Sequence, residues 1–485
     1  MRVLIHSMTL SREWRPLLVC LVTLASISIA GVPAFAHQLV GQPEASVSAA
    51  DTPAADSPTA KTKDDSDKPK KKKKKKADSG DDAAAQEPGT GKTPKHPELK
   101  IGKDITLEFH ARIEGDLRGA TPDIGREDAA AEWQDRRLGI QGEAFDKRVT
   151  FEVSREFTHD LEGDHDLGEK TAWKDVYANY RVSKALNFEA GQFKLPFGRE
   201  ALVGETNLDF ANRSLAARVL SPGRDIGFMT HGKVLKKRLE YQVGYFKRDG
   251  DNARTSQTEG GTDAFAGRVV VSPFVTTSYA ALAPLELGVA TENSRLDNRY
   301  GIRGRTVIGD GIFFDRVYVN GRRNRVGLEG TWAYGPVSLA AEYITVSDQR
   351  TGMGFDGGDL PNVRARAWYV AGTWALTGER KKGRIDPRRD LFRGGFGALE
   401  LAARVEKLSF DSIDYPGANY GFPYAGSLTG NADRVTTLGV NWYLNHYLKI
   451  MTNVVMESID DPERSPAPTA DGKFKSVIFF LQFRL

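Results

Sequence analysis

The chain has 485 residues, with 68 lysines and arginines against 64 aspartates and glutamates, for a formal charge of +4. An excess so small and dispersed gives no basis for a nucleic-acid partner, and a soluble chain of this length would hold two or three domains. Forty-nine glycines beside six methionines and one cysteine suit a β-rich protein with many turns better than a helical enzyme.

At the N-terminus, Arg2, Arg12 and Arg15 precede the apolar run LLVCLVTLASISIAGV, and Ala34-Phe35-Ala36 has the small-x-small form of a cleavage site. Residues 1–36 read as a secretory signal peptide cut before His37. The alternative is a membrane anchor, for which the apolar run is short. Cys20 does not fit a lipoprotein cysteine, because Val19 stands where a small residue is needed. The exported chain would then lack cysteine and need no disulfide.

Residues 37–100 are rich in Ala, Pro, Ser, Asp and Lys, and include KPKKKKKKKAD from Lys68 to Asp78. Such a stretch buries too little apolar surface to offset its chain entropy and is expected to be disordered. It reads either as a basic arm for an anionic polymer or as a solvated tether. The acidic residues Asp64, Asp65, Asp67, Asp81 and Asp82 partly cancel the lysines and favour the tether. No apolar stretch long enough for a spanning helix follows the signal, so any membrane role falls to strands.

From Lys100 the pattern alternates. Ile105, Leu107, Phe109, Ala111 and Ile113 interleave with Thr106, Glu108, His110, Arg112 and Glu114. A period of two puts the apolar side chains on one face of a strand and the charged ones on the other. Segments of this kind lie near 104–116, 136–146, 148–157, 173–182, 186–194, 224–232, 238–247 and 263–272. Others lie near 284–292, 323–333, 336–346, 364–376, 396–408, 434–444, 447–457 and 474–485. That is about sixteen, each of a length that crosses a bilayer when tilted.

Short connections such as Asp146–Lys147, Tyr334–Gly335 and Asn445–His446 take turns with longer polar ones. The stretch 377–395 breaks the rule, being long where a short turn is due. The fold class expected is all-β: a transmembrane antiparallel barrel over 101–485, with lipid outside and water inside. Closure is what makes strands viable in lipid, since it leaves no unpaired edge. Sixteen strands leave a lumen wide enough for water and solutes.

Trp173, Tyr177, Trp332, Tyr334, Trp374, Trp442 and Tyr443 fall near segment ends, where an interfacial aromatic belt is expected. The last strand alternates Val477, Phe479, Leu481, Phe483 and Leu485. It resembles the terminal strand by which bacterial outer-membrane proteins are recognised for assembly, although that signal usually ends in Phe or Trp.

Several motifs resemble the phosphate-selective porin O and P family. They are QDRRLGIQG (Gln134 to Gly142), GQFKLPFGRE (Gly191 to Glu200), SPGRDIGFMTHG (Ser221 to Gly232), WALTGERK (Trp374 to Lys381), GALELAARVEKLSF (Gly397 to Phe410) and TLGVNWYLNHYLKIMTNVV (Thr437 to Val455). They occur in the family's order across about 104 to 485. The resemblance implies a trimeric sixteen-stranded porin of the bacterial outer membrane, some members favouring phosphate or polyphosphate. It also implies partners: outer-membrane lipid and lipopolysaccharide, small anions such as phosphate, and further copies of the chain. No cofactor is implied.

An anion pore needs positive charge at its narrow section, and arginine's planar fork suits phosphate oxygens. Resemblance to general porins places that section at the third loop, about Leu195 to Gly223. The loop and its flanks supply Lys194, Arg199, Arg213, Arg218 and Arg224, while alternation turns Arg137, Arg181, Arg268, Arg325 and Arg404 inward. Within the pair Arg136–Arg137, which matches the family's double arginine, only Arg137 points into the lumen. The competing reading is that these arginines brace the wall against inward acids such as Glu108, Glu114, Glu143, Glu189, Glu240, Glu286, Glu329, Glu342 and Glu400.

In the loop from Phe157 to Glu169, Asp160, Asp164 and Asp166 are weak candidates for calcium, because their spacing does not match a calcium loop. No G-x-S-x-G elbow, phosphate-cradling P-loop or H-E-x-x-H motif is present, so the reading is not an enzyme. The function expected is passive diffusion of small anions through a barrel constricted by loop three. A non-selective porin, or a structural or adhesive barrel with a plugged lumen, is the alternative.

Overall fold

The alternating segments form pleated strands because each has one face suited to lipid and one suited to water. The computed structural model describes residues 97–121, 132–157, 173–250, 262–308, 311–411, 428, 430–464 and 471–485. The signal peptide, the lysine-rich tail to residue 96 and the acidic residues Asp160, Asp164 and Asp166 lie outside the described residues.

The first half of the wall is built by β2 (Ile105–Thr121), β3 (Glu132–Ala144), β4 (Val149–Glu156), β5 (Trp173–Ser183), β6 (Leu186–Lys194), β7 (Arg224–Val234), β8 (Leu239–Arg248) and β9 (Thr262–Val271). The second half is β10 (Glu286–Tyr300), β13 (Tyr318–Tyr334), β14 (Val337–Arg350), β15 (Leu360–Ala375), β16 (Ala398–Phe410), β17 (Asn431–Tyr443), β18 (Leu448–Ile459) and β19 (Lys473–Arg484). Between β10 and β13 lies a small hairpin of β11 (Gly304–Arg305) and β12 (Ile312–Phe314). The sixteen wall strands, each antiparallel to both neighbours, correspond one for one to the expected segments. The barrel closes where β19 pairs with β2, from Lys475↔Thr121 to Arg484↔Arg112.

A four-residue strand, β1 (Glu98–Ile101), precedes the barrel and pairs with β2 from Glu98↔Glu108 to Ile101↔Ile105. The last residues of the stretch read as tail thus belong to the sheet. The reason is geometric: β19 ends opposite Arg112, so the lower edge of β2 would be unpaired, and β1 covers it.

Outward positions are apolar and exposed, for example Leu138 at 56 %, Leu328 at 53 % and Phe479 at 50 %. Inward positions are charged and buried, including Arg112, Glu189, Arg325, Glu400 and Lys449. This inversion of a soluble fold is the arrangement that lipid demands. Two expected belt residues are corrected by the same period of two. Tyr443 is fully buried inside, and Tyr177 packs edge-on to Phe193 at 6.0 Å.

The lumen is not lined by water-facing groups alone. The connection 195–223, the hairpin connection 301–317 and inward residues of β14 to β16 share one apolar cluster. It includes Phe197, Leu215 and Leu220 from the first, Val307 and Phe313 from the second, and Ile344, Val346 and Ala367 from the wall. Burying these side chains stabilises the inward fold of the loops by about 25 cal/mol per Å² of apolar surface removed from water. The long stretch after β15 also turns inward: Ile385 is fully buried and joins Ala375, Ala398 and Tyr443.

Candidate functional site

Loop three lies against the inner wall, held through its backbone. The N–H groups of Arg199 and Glu200, at the start of the short turn Arg199–Leu202, donate to Glu342 at 2.7 and 3.3 Å. A carboxylate of β14 thereby satisfies helix-end donors that would otherwise be orphaned. Gly198, at φ 75°, makes the approach possible, since a Cβ there would meet Ser221 Oγ at 2.6 Å and Glu342 Oε1 at 3.2 Å. Further along, Asn453 accepts from Ala211 N–H at 2.8 Å, Asn441 donates to Asp209 C=O at 2.9 Å, and Lys449 donates to Leu208 C=O at 2.8 Å.

Arg404 ties the loop side chains to β16. It donates to Glu406 at 2.9 Å, Glu200 at 3.2 Å and Asn212 C=O at 3.1 Å, and stands over the Phe210 ring at 4.6 Å. Lys194 donates to Ala201 C=O at 2.6 Å and to Val203 C=O at 3.3 Å, closing the other end of the helical turn. Both residues were expected to serve anions; here each holds the loop.

The remaining candidates divide. Arg224 makes a two-pronged pair with Asp175 at 2.9 and 2.7 Å. Arg268 pairs with Glu329 and also reaches Gln242 at 3.3 Å. Arg325 pairs with Glu292 at 2.6 Å, while Arg323, on the same strand, takes Asp348 and Asp249 at 2.6 and 2.9 Å. Arg181 is half-buried on β5, and Arg218 lies in the helical stretch Ala216–Leu220, where its charge acts on Glu406, Asp433 and Glu457. These arginines do not form one cluster.

Arg137 and Arg213 do come together, with Arg112, which sequence reasoning placed on the inward face of the first strand but did not single out. Arg112 and Arg137 are directly opposite on β2 and β3. Their guanidinium groups face one carboxylate oxygen of Glu205, Arg137 at 3.7 Å, and Arg213 faces the other oxygen at 3.4 Å. Glu114, Asp135 and Glu156 hold Arg112 and Arg137 from the strands, with Glu114 3.5 Å from Arg112 and Glu156 3.5 Å from Arg137. Burial raises the Glu205 carboxyl, but Arg112, Arg137 and Arg213 outweigh it and hold the group well below the usual carboxylate range.

The anomalous stretch 377–395, between β15 and β16, meets loop three inside the barrel. Lys381 pairs with Asp209 of the loop and with Glu400 of β16, the latter at 2.7 Å. Arg384 donates to Gln482 at 2.6 Å, and Gln482 donates to Glu114 at 2.7 Å and to Glu205 C=O at 3.3 Å. At the rim, Asp386 is 2.7 Å from His446 Nδ1. Burial raises the Asp386 carboxyl, yet the His446 hydrogen bond and the charges of His446 and Arg484 bring it below its ordinary value. Its contribution to stability is therefore present above the unfolded carboxyl's pKa of about 3.9 and is lost as pH falls through the folded value. Proteolysis within 376–397 should rise as pH falls below about 4, where the Asp386 carboxylate is protonated. Loosening already at pH 6 would show that Asp386 is not the group that holds this end.

The family model for phosphate-selective porin O and P matches residues 106–485. The chain belongs to that family. Porin O of Pseudomonas aeruginosa is 23 % identical over 395 residues, covering 74 % of this chain and 84 % of that protein. Among solved structures, the loop L8 deletion mutant of OmpT, an outer membrane protein of Vibrio cholerae, superposes with a TM-score of 0.51 at 9 % identity. It is covered over its whole length by 79 % of this chain. The outer membrane channel DcaP of Acinetobacter baumannii gives 0.50 at 13 % identity, with 80 % of this chain and 99 % of that one aligned. Family and fold together make this chain an outer-membrane porin channel.

Proposed function

We propose that this porin passes small anions of the phosphate type by passive diffusion, as a homotrimer, with loop three forming the constriction. The observation that supports this reading is the convergence of Arg112, Arg137 and Arg213 on one carboxylate. Three guanidinium groups around two oxygens supply the positive charge that an oxyanion needs, while Arg213 also braces the loop by donating to the Glu200 carbonyl and to the Val203 carbonyl at 2.7 Å. The set of arginines that supports this reading is smaller than the sequence suggested. Arg224, Arg268, Arg325 and Arg404 are each matched to acids in the wall or loop and serve as braces.

Single-channel recording across a salt gradient tests the proposal. The expected result is a reversal potential displaced toward chloride and partial block of chloride current by millimolar inorganic phosphate. A cation-directed reversal potential would sink the anion reading and leave a porin of the opposite preference. The inward packing of 195–223, 301–317 and 376–397 also favours a second reading, a barrel with a closed lumen. Absence of any conductance from assembled protein would decide for that one.

A further inference from the structure

We propose that Glu205 is a tethered anion: its carboxylate occupies the seat that a permeating oxyanion takes among Arg112, Arg137 and Arg213, and thereby sets how loosely the pore holds phosphate. The proposal rests on the anion-passing reading above and names the residue that tunes it.

The geometry distinguishes Glu205 from the other acids of the cluster. Glu114, Asp135 and Glu156 belong to β2, β3 and β4, where register fixes them, and their side chains are 5, 10 and 11 % exposed. Glu205 comes from the loop, next to exposed Gly204 at the start of a single helical turn, and its side chain is 29 % exposed. The side chains of the three arginines are 10, 10 and 15 % exposed, so Glu205 is the most exposed member of the group. Rotation about its side-chain bonds carries the carboxylate away without moving a strand.

Such a residue competes with free anions as an intramolecular ligand, at an effective concentration in the millimolar range set by its short tether. Two consequences follow for transport. When no solute is bound, Glu205 balances the positive charge that the wall acids leave over at this point. A solute that displaces Glu205 is in turn displaced by it, which favours release, and conduction requires sites that are not too tight.

The experiment compares wild type, Glu205→Gln and Glu205→Ser in planar bilayers, titrating inorganic phosphate against chloride current. Glu143→Gln serves as a charge control, since Glu143 pairs with Lys147, 2.9 Å away at the short turn between β3 and β4, and not with the arginines around Glu205. Either Glu205 variant should reach half block at roughly tenfold lower phosphate than wild type, and Glu143→Gln should not. Unchanged block in both Glu205 variants overturns the proposal, as does an equal shift in Glu143→Gln, which would make it a general charge effect. Failure of the underlying reading shows differently. A cation-selective wild type whose Glu205 variants gain phosphate block would refute the anion reading and uphold Glu205 as the occupant of the seat.

Discussion

Replacing Arg404 by alanine should release loop three from the wall, raising single-channel conductance and lowering thermal stability together. Arg404 is 1 % exposed and bonds Glu406, Glu200 and the Asn212 carbonyl, so its loss strands two buried carboxylates and one loop carbonyl. Breaking a buried pair by removing one partner costs about 3–5 kcal/mol. Glu406 also accepts from Leu215 N–H, and Glu200 from Ser214 N–H, so the strain reaches the loop backbone at both points. Lysine should rescue only partly, because one ammonium cannot reproduce a fork that serves three acceptors. Thermal unfolding in detergent and bilayer conductance measure the two effects. Wild-type values for both would mean that apolar packing of Phe197, Leu215 and Leu220 suffices to hold the loop.

Lys381→Met should be destabilised to a comparable degree, by a deficit that grows as pH rises between 4 and 9. In the native protein burial lowers the Lys381 ammonium's pKa, yet Asp209 and Glu400 hold it well above its ordinary value. Its stabilising contribution is therefore present below the unfolded lysine's value of about 10.4 and is lost as pH rises through the folded one. Burial already pushes the Asp209 carboxyl up despite Lys381 beside it. Without the ammonium it should rise further, so the variant carries an ionised, uncompensated acid above that value. Lowering the pH protonates Asp209 and should recover much of the roughly 3–5 kcal/mol deficit. Melting temperatures of both proteins from pH 4 to 9 test this. A deficit independent of pH would assign the loss to packing instead of charge.

Residues 436–457 show what was legible beforehand. Leu438 and Val440 face outward, while Asn441, Lys449, Asn453 and Glu457 face inward, as a period of two requires. That the inward polar residues grip loop three by its backbone was not legible, because the loop's partner atoms are main-chain groups common to every residue. Apolar inward positions such as Ile344 and Val346 did leave a trace, since the run Ile344-Thr345-Val346 ends a clean alternation where the loop packs. The excess length of 377–395 was a second trace, explained once Lys381 and Arg384 are seen inside the barrel.

Alternation is a local property, repeated every two residues, so the strands, their faces, their number and the closed barrel that lipid imposes were all determined by the sequence itself. Ion pairing is not local. Whether Arg137 stands free or braced depends on Glu205, brought from loop three, and on Glu156, from the next strand. Only the tertiary structure could decide which of the inward arginines hold the wall and which three surround a carboxylate.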